Sequence, residues 1–134
     1  MTAMTEARRL VMSSDYPAVP AAVGVTRRIA KRRLEVWGVP LPVIENISLV
    51  ISELVTNAVQ AKGVRTLTLT LAEDVPGSIT VEVRDSSQQE PIRKTPSLTD
   101  LGGRGLGIVE ALACHCGVRP EPEGKTVFAV IETQ

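Results

Sequence analysis

P-V-I-E-N-I-S-L-V-I-S-E-L-V-T-N-A-V-Q-A-K-G-V-R-T-L-T-L-T-L, residues 42–71, changes its period partway along. Val43, Ile44, Ile47, Val50, Ile51, Leu54, Val55 and Ala58 recur at i, i+3, i+4 and i+7, the spacing of one helical face. A helix is predicted from about Pro42 to Ala61, with proline suited to its first turn and Gly63 closing it. From Leu67 the period becomes two. L-T-L-T-L (67–71) reads as a strand with one apolar face, and I-T-V-E-V-R-D (79–85) as a second, joined to it by turn residues around Asp74 to Gly77.

Upstream, L-V-M-S-S-D-Y-P-A-V (10–19) reads as a short strand running into a turn, and residues 1–9 as a flexible tail. From about Pro20 to Trp37 the residues Ala22, Val23, Val25, Ile29, Ala30, Leu34, Val36 and Trp37 fall on one helical arc, with Arg33 inside it. Gly38 and Pro40 end that helix. Downstream, residues 86–103 carry no periodicity, which in a small domain marks a functional loop or lid. A helix from Arg104 to about Cys114 and a strand over G-K-T-V-F-A-V-I (124–131) complete the chain. Helices packed on one face of a mostly antiparallel sheet, an α+β class of α/β fold, follow from this order.

The totals narrow the function. A chain of 134 residues, 43% hydrophobic, suits one domain with a real core, assigned here to residues 10–134. Acidic and basic residues balance at 15 each, so net charge gives no reason to expect nucleic-acid or membrane binding. Tyr16, Trp37 and Phe128 are too few aromatics for base-stacking platforms. No run of residues reads as a membrane span, and the first ten residues lack a signal peptide's apolar centre. A cytoplasmic setting is the expectation. Cys114, His115 and Cys116 point in different directions on a helix and have no second cluster to complete a metal site. The two cysteines read as reduced thiols near a helix end.

Gly102, Gly103, Gly105 and Gly107 crowd into six residues ahead of a helix start. Glycine is costly in a helix, whereas a backbone that must approach an anion closely needs it, and a helix N-terminus favours phosphate. Neither common nucleotide fingerprint fits: Gly103-x-Gly105-x-Gly107 is not G-x-G-x-x-G, and Arg119 stands where a P-loop ending in Gly124-Lys125-Thr126 needs its first glycine.

A polar stripe on the second predicted helix offers a partner. Asn46, Glu53, Asn57 and Gln60 fall within roughly 60° at 100° per residue, bordering the apolar arc. Glu53 and Asn57 are neighbours at i and i+4. A carboxamide oxygen suits Mg²⁺ that shares a substrate's phosphates, and a carboxylate beside it can deprotonate a hydroxyl. A solvated polar face is the plain alternative. Asp85, ending a strand, is either a turn residue or an acceptor for an exocyclic amine such as adenine's.

The order E-L-V-T-N-A (53–58), V-R-D (83–85), G-G-R-G-L-G (102–107) and G-K-T (124–126) resembles the ATP-binding domain shared by histidine kinases, gyrase and Hsp90. More narrowly, it resembles the small anti-sigma-factor serine kinases of the branch abundant in actinobacteria, from about Leu10 to Ile131. The resemblance implies the Bergerat-type two-layer sandwich, with ATP between the helices and the loop after Asp85. It implies Glu53 as general base for a protein serine hydroxyl and Asn57 as the Mg²⁺ ligand. Asp85 would read the adenine amine, with Thr126 beside it. Gly103, Arg104, Gly105, Leu106 and Gly107 would wrap the phosphates. The implied partners are a sigma factor and an anti-sigma-factor antagonist protein, and the implied assembly is a homodimer.

The chain departs from that family in two places. D-x-G-x-G is replaced by Asp85-Ser86-Ser87-Gln88-Gln89, without either glycine, and Ala61 stands where a histidine often follows the asparagine by four residues. Three functions stay open: a protein serine kinase that also sequesters a partner, a non-catalytic module ordered by ATP, and a nucleotide-free interaction module. A sensor histidine kinase or a gyrase- or chaperone-type ATPase would need further domains. Arg27, Arg28, Lys31 and Arg32 share a side of the first helix, either a solvated face or a surface for an acidic partner protein.

Overall fold

The computed structural model describes residues 10–86 and 106–133. Its elements are β1 (Leu10–Pro17), α1 (Ala21–Val36), α2 (Leu41–Gln60), β2 (Thr66–Val75), β3 (Ser78–Asp85), α3 (Leu106–Leu112), β4 (His115–Glu121) and β5 (Gly124–Glu132). The strands form one sheet in the order β1-β2-β3-β5-β4 with every neighbouring pair antiparallel. This is the expected α+β sandwich.

Alternation decides which face meets the helices. Leu67, Leu69 and Leu71 of β2 pair with Asp85, Val83 and Val81 of β3, and Val83, Val81 and Ile79 pair in turn with Val127, Ala129 and Ile131 of β5. All nine apolar side chains are buried. They meet Ile44, Ile47, Val50, Ile51, Leu54 and Val55 of α2, each at most 2% exposed. Burying a side chain of this size contributes about 1.5–3 kcal/mol, so α2 and the sheet carry most of the core. The opposite face is polar: Ser13 and Thr70 share a hydroxyl bond of 2.9 Å, Thr68 donates to Asp15 at 2.7 Å, and Arg119 pairs with Glu82 at 3.6 Å.

α2 meets the length and hydropathy of a membrane span, contrary to the reading above, but its apolar side chains are the core of this domain. α1 also differs from its sequence pattern. Its buried line is Ala22, Thr26, Ala30 and Leu34, whereas Ile29 (41%) and Val36 (80%) are exposed. Small residues at i, i+4 and i+8 let α1 lie close on α2, and the Thr26 hydroxyl is satisfied by the Ala22 carbonyl at 2.7 Å. Gly38, at φ +79°, ends the helix by donating to the Glu35 carbonyl at 3.0 Å.

β4 is the element absent from the sequence reading. The expected long helix ends at Leu112, and after a two-residue corner the chain turns into an edge strand against β5. Cys114 donates its N–H to the Val130 carbonyl at 2.9 Å, so Cys116 and His115 lie on a strand instead of a helix end. The expected tail, residues 1–9, and residues 87–103 of the expected loop fall outside the described residues.

Candidate functional site

Glu53 and Asn57 project from α2 one turn apart, half-buried, between the buried Leu54, Val55 and Ala58. They therefore stand at the rim of the core. Asn46 is half-buried and Gln60 exposed on the same helix. One turn before Asn57's own, Ser52 accepts a hydrogen bond from Arg27 of α1 at 3.1 Å, so one member of the basic face is tied to α2.

Asn57 lies in the last turn of α2, and residues 61–65 lead from there into β2. The first residues of β2 pair with the end of β3: Leu67 lies opposite Asp85, and Ser86 donates its N–H to the Thr66 carbonyl at 3.2 Å. The Thr66 and Ser86 hydroxyls share a further bond of 2.5 Å. Asp85 in turn lies opposite Lys125 at the start of β5. The C-terminal end of α2, the end of β3 and the start of β5 thus gather at one end of the molecule, and α3 packs on α2.

Asp85 continues the row Ile79, Val81 and Val83 on the helix-facing side of the sheet and is 3% exposed. A buried carboxylate requires a partner. Lys125 provides one, its Nζ 2.5 Å from Asp85 Oδ2. Gly124 presses the β5 backbone against the same residue. Its φ is +122°, and a Cβ there would stand 2.2 Å from the Asp85 carbonyl oxygen and 2.8 Å from Oδ1.

Thr126, expected beside Asp85, belongs to the other face. Lys125 shares the helix-facing side with Asp85, so its neighbour Thr126 points away, and the Thr126 hydroxyl donates to Glu121 Oε2 at 2.8 Å. Glu121 also meets Arg119, which lies over the Phe128 ring at 5.6 Å from its centre. Thr126 is buried under this outer cluster. Gly103, Arg104 and Gly105 lie outside the described residues. Leu106 and Gly107 open α3, where Gly107 is exposed with open space where a Cβ would stand.

The residues present suit part of what an adenine nucleotide needs. Asp85 is a buried acceptor in an apolar wall, the environment in which an amine's hydrogen bond gains strength. Among the described residues no group of three or more His, Cys, Asp or Glu side chains is placed to hold a metal. A magnesium ion would therefore rest on Asn57 together with phosphate oxygens. Cys116 holds its thiol proton more tightly than usual, first because of burial and second because of the nearby Glu110 carboxylate. Sequence reading missed Lys125 as a member of this site. Its signal was available: counting the alternation of G-K-T-V-F-A-V-I from the apolar Val127, Ala129 and Ile131 puts Lys125, not Thr126, on the inner face.

Comparison with known proteins bears on the family and the fold. The model of the histidine kinase-like ATPase domain matches residues 16–131. The crystal structure of the RsbU and RsbW domains of Rv1364c from Mycobacterium tuberculosis matches in fold, with a TM-score of 0.64 and 23% sequence identity. The match covers 92% of this chain and 32% of that one, so the chain spans about a third of the protein it resembles. No curated protein matches by sequence.

Proposed function

The chain belongs to the histidine kinase-like ATPase family, and from that premise we propose that it binds Mg-ATP and phosphorylates a serine of a partner protein. The partners proposed are a sigma factor, which it sequesters, and an antagonist protein, which it phosphorylates. The observation that carries this reading is the placement of Asp85, a buried carboxylate at the helix-facing end of β3, at the same end of the molecule as the Glu53–Asn57 pair.

Bound Mg-ATP supplies the phosphoryl group and the charge neutralisation that phosphoryl transfer depends on. Asp85 would accept a hydrogen bond from the base's exocyclic amine. Asn57 would hold the magnesium ion through its carboxamide oxygen. Glu53 would take the proton of the serine hydroxyl as that oxygen displaced the β–γ bridging oxygen at the γ-phosphorus. The half-buried position of Glu53 leaves its carboxylate reachable by a protein substrate.

Calorimetric titration with ATP, with and without Mg²⁺, tests the binding half. Saturable, magnesium-dependent heat is expected, and no binding at millimolar ATP removes the reading. Glu53→Ala tests the chemical half. It is expected to leave the ATP affinity within about twofold while phosphate transfer to the partner falls by 10²-fold or more, the range of a lost general base. Equal transfer by the variant takes Glu53 out of that role.

The Lys125–Asp85 ion pair favours a second reading, in which nucleotide binding is weak and the domain acts through protein contacts. There, Glu53→Ala leaves partner control unchanged.

A further inference from the structure

We propose that Lys125 sets the nucleotide affinity and base selectivity of this domain by competing with the purine amine for Asp85. The inference rests on the nucleotide reading above and concerns a residue that reading does not use.

Three observations carry it. Asp85 is 3% exposed and faces the helical layer, where its carboxylate is largely removed from bulk water. Lys125 Nζ lies 2.5 Å from Oδ2 and so already donates to an oxygen that a base amine would use. The strand that carries Lys125 is also held in place, because Gly124 at φ +122° lets the β5 backbone approach Asp85 more closely than any side chain would permit. The ammonium is delivered to the carboxylate by the strand register itself, Asp85 opposite Lys125.

The contact is strong yet reversible. Removing the cation from a buried ion pair is costly, so in the free protein Lys125 stays on Asp85. The Lys125 side chain is 22% exposed, however. Its four-carbon stem lets the ammonium swing to water while the methylenes remain packed. An incoming adenine amine must displace it, so only the fraction of molecules with Lys125 swung out is competent to bind through Asp85. A competent fraction between about one in ten and one in a hundred weakens the observed affinity by the same about 10–100-fold. An exocyclic amine then adds little, because the hydrogen bond it makes replaces one already present.

ITP separates these effects, since it carries the ribose and triphosphate of ATP but a 6-oxo group in place of the amine. Titrating wild-type protein with Mg-ATP and Mg-ITP by calorimetry is expected to give dissociation constants within about threefold of each other. Lys125→Met is expected to bind ATP about 10–100-fold more tightly than wild type, the factor by which displacing the ammonium weakens binding, and to prefer ATP over ITP by at least tenfold. Lys125→Arg keeps a cation on Asp85 and should behave like wild type. Thermal unfolding of each variant, together with Lys125→Thr as a smaller replacement, identifies any that fails to fold. The wild-type ATP-to-ITP ratio needs no variant at all.

A wild type that already favours ATP over ITP tenfold overturns the proposal. So does a folded Lys125→Met or Lys125→Thr whose ATP affinity is unchanged. In both cases ATP still binds, and the nucleotide reading survives. If neither nucleotide binds wild type or any folded variant, the nucleotide reading itself fails, and the competition at Asp85 fails with it.

Discussion

Gly124 and Gly107 look alike in the sequence and are not alike in the structure. At Gly124 a Cβ would fall 2.2 Å from a backbone oxygen of Asp85, at a φ of +122°. Neither atom can move without opening the β3–β5 ladder. Gly124→Ala is expected to cost about 3 kcal/mol or more, from backbone strain and overpacking together, read as a lower denaturant midpoint. At Gly107 a Cβ would meet nothing within 4 Å, so Gly107→Ala should change stability by less than about 0.5 kcal/mol. Cys114 and Cys116 make a similar contrast. Cys114 is exposed, whereas Cys116 is partly covered and its thiol keeps its proton to higher pH. Iodoacetamide at pH 8 is expected to modify Cys114 first, with Cys116 following only as the pH rises; peptide mapping by mass spectrometry checks the order. Much of the residue scale was legible in advance. Glu53 and Asn57 could be placed at the rim of the core because α2 is regular, and Asp85 because β3 alternates. The Asp85–Lys125 contact was not, since it depends on which strands become neighbours forty residues apart, and the polar alternation of one strand does not encode its partner.

Among the elements, α2, β2 and β3 follow from their periods, while α1 and β4 show where periodicity misleads. The α1 sequence offers Ile29 and Val36 as core residues, yet the helix packs through Ala22, Thr26 and Ala30. Close approach of two helices wins over the burial of two more large side chains, because α2 already supplies the bulk. Ala30 is fully buried, so Ala30→Leu should force the helices apart and cost about 1–3 kcal/mol. Chemical denaturation measures it, and an unchanged midpoint would mean that the α1–α2 contact is looser than the burial indicates. β4 reads H-C-G-V-R-P-E and has no two-residue alternation. Gly117 is there because Phe128 of β5 lies across it, with a ring carbon 3.0 Å from where a Cβ would stand. Pro120 removes one donor on a strand with only one neighbour. These are edge-strand residues, and they erase the pattern by which a strand is recognised.

At the scale of the whole molecule, the sheet order predicts a hierarchy of local stability. β3 lies between β2 and β5 in the centre, and β1 and β4 are the edges. Hydrogen exchange is expected to be slowest for amides of β3 and β5, whose inner residues Val81 and Ala129 are fully buried, and to be fastest along β4 and β1. Protection of β4 equal to that of β3 would contradict this order. The general architecture was legible because it needs only the sequence of periods: helix, helix, strand, strand, helix, strand. What it could not supply was the position of β1, whose eight residues pair with β2 across the whole intervening helical pair.

That last pairing has a kinetic consequence. Leu10 to Pro17 are synthesised well before their partners, which run from Glu73 back to Thr66. The α1–α2 pair and the β2–β3 hairpin are local and can form early, whereas β1 must wait for both and then close a long loop. Of β1, β2 and β3, the first-made strand is therefore the last to find its partner on a growing chain, and the one that stays longest within reach of a nascent-chain chaperone.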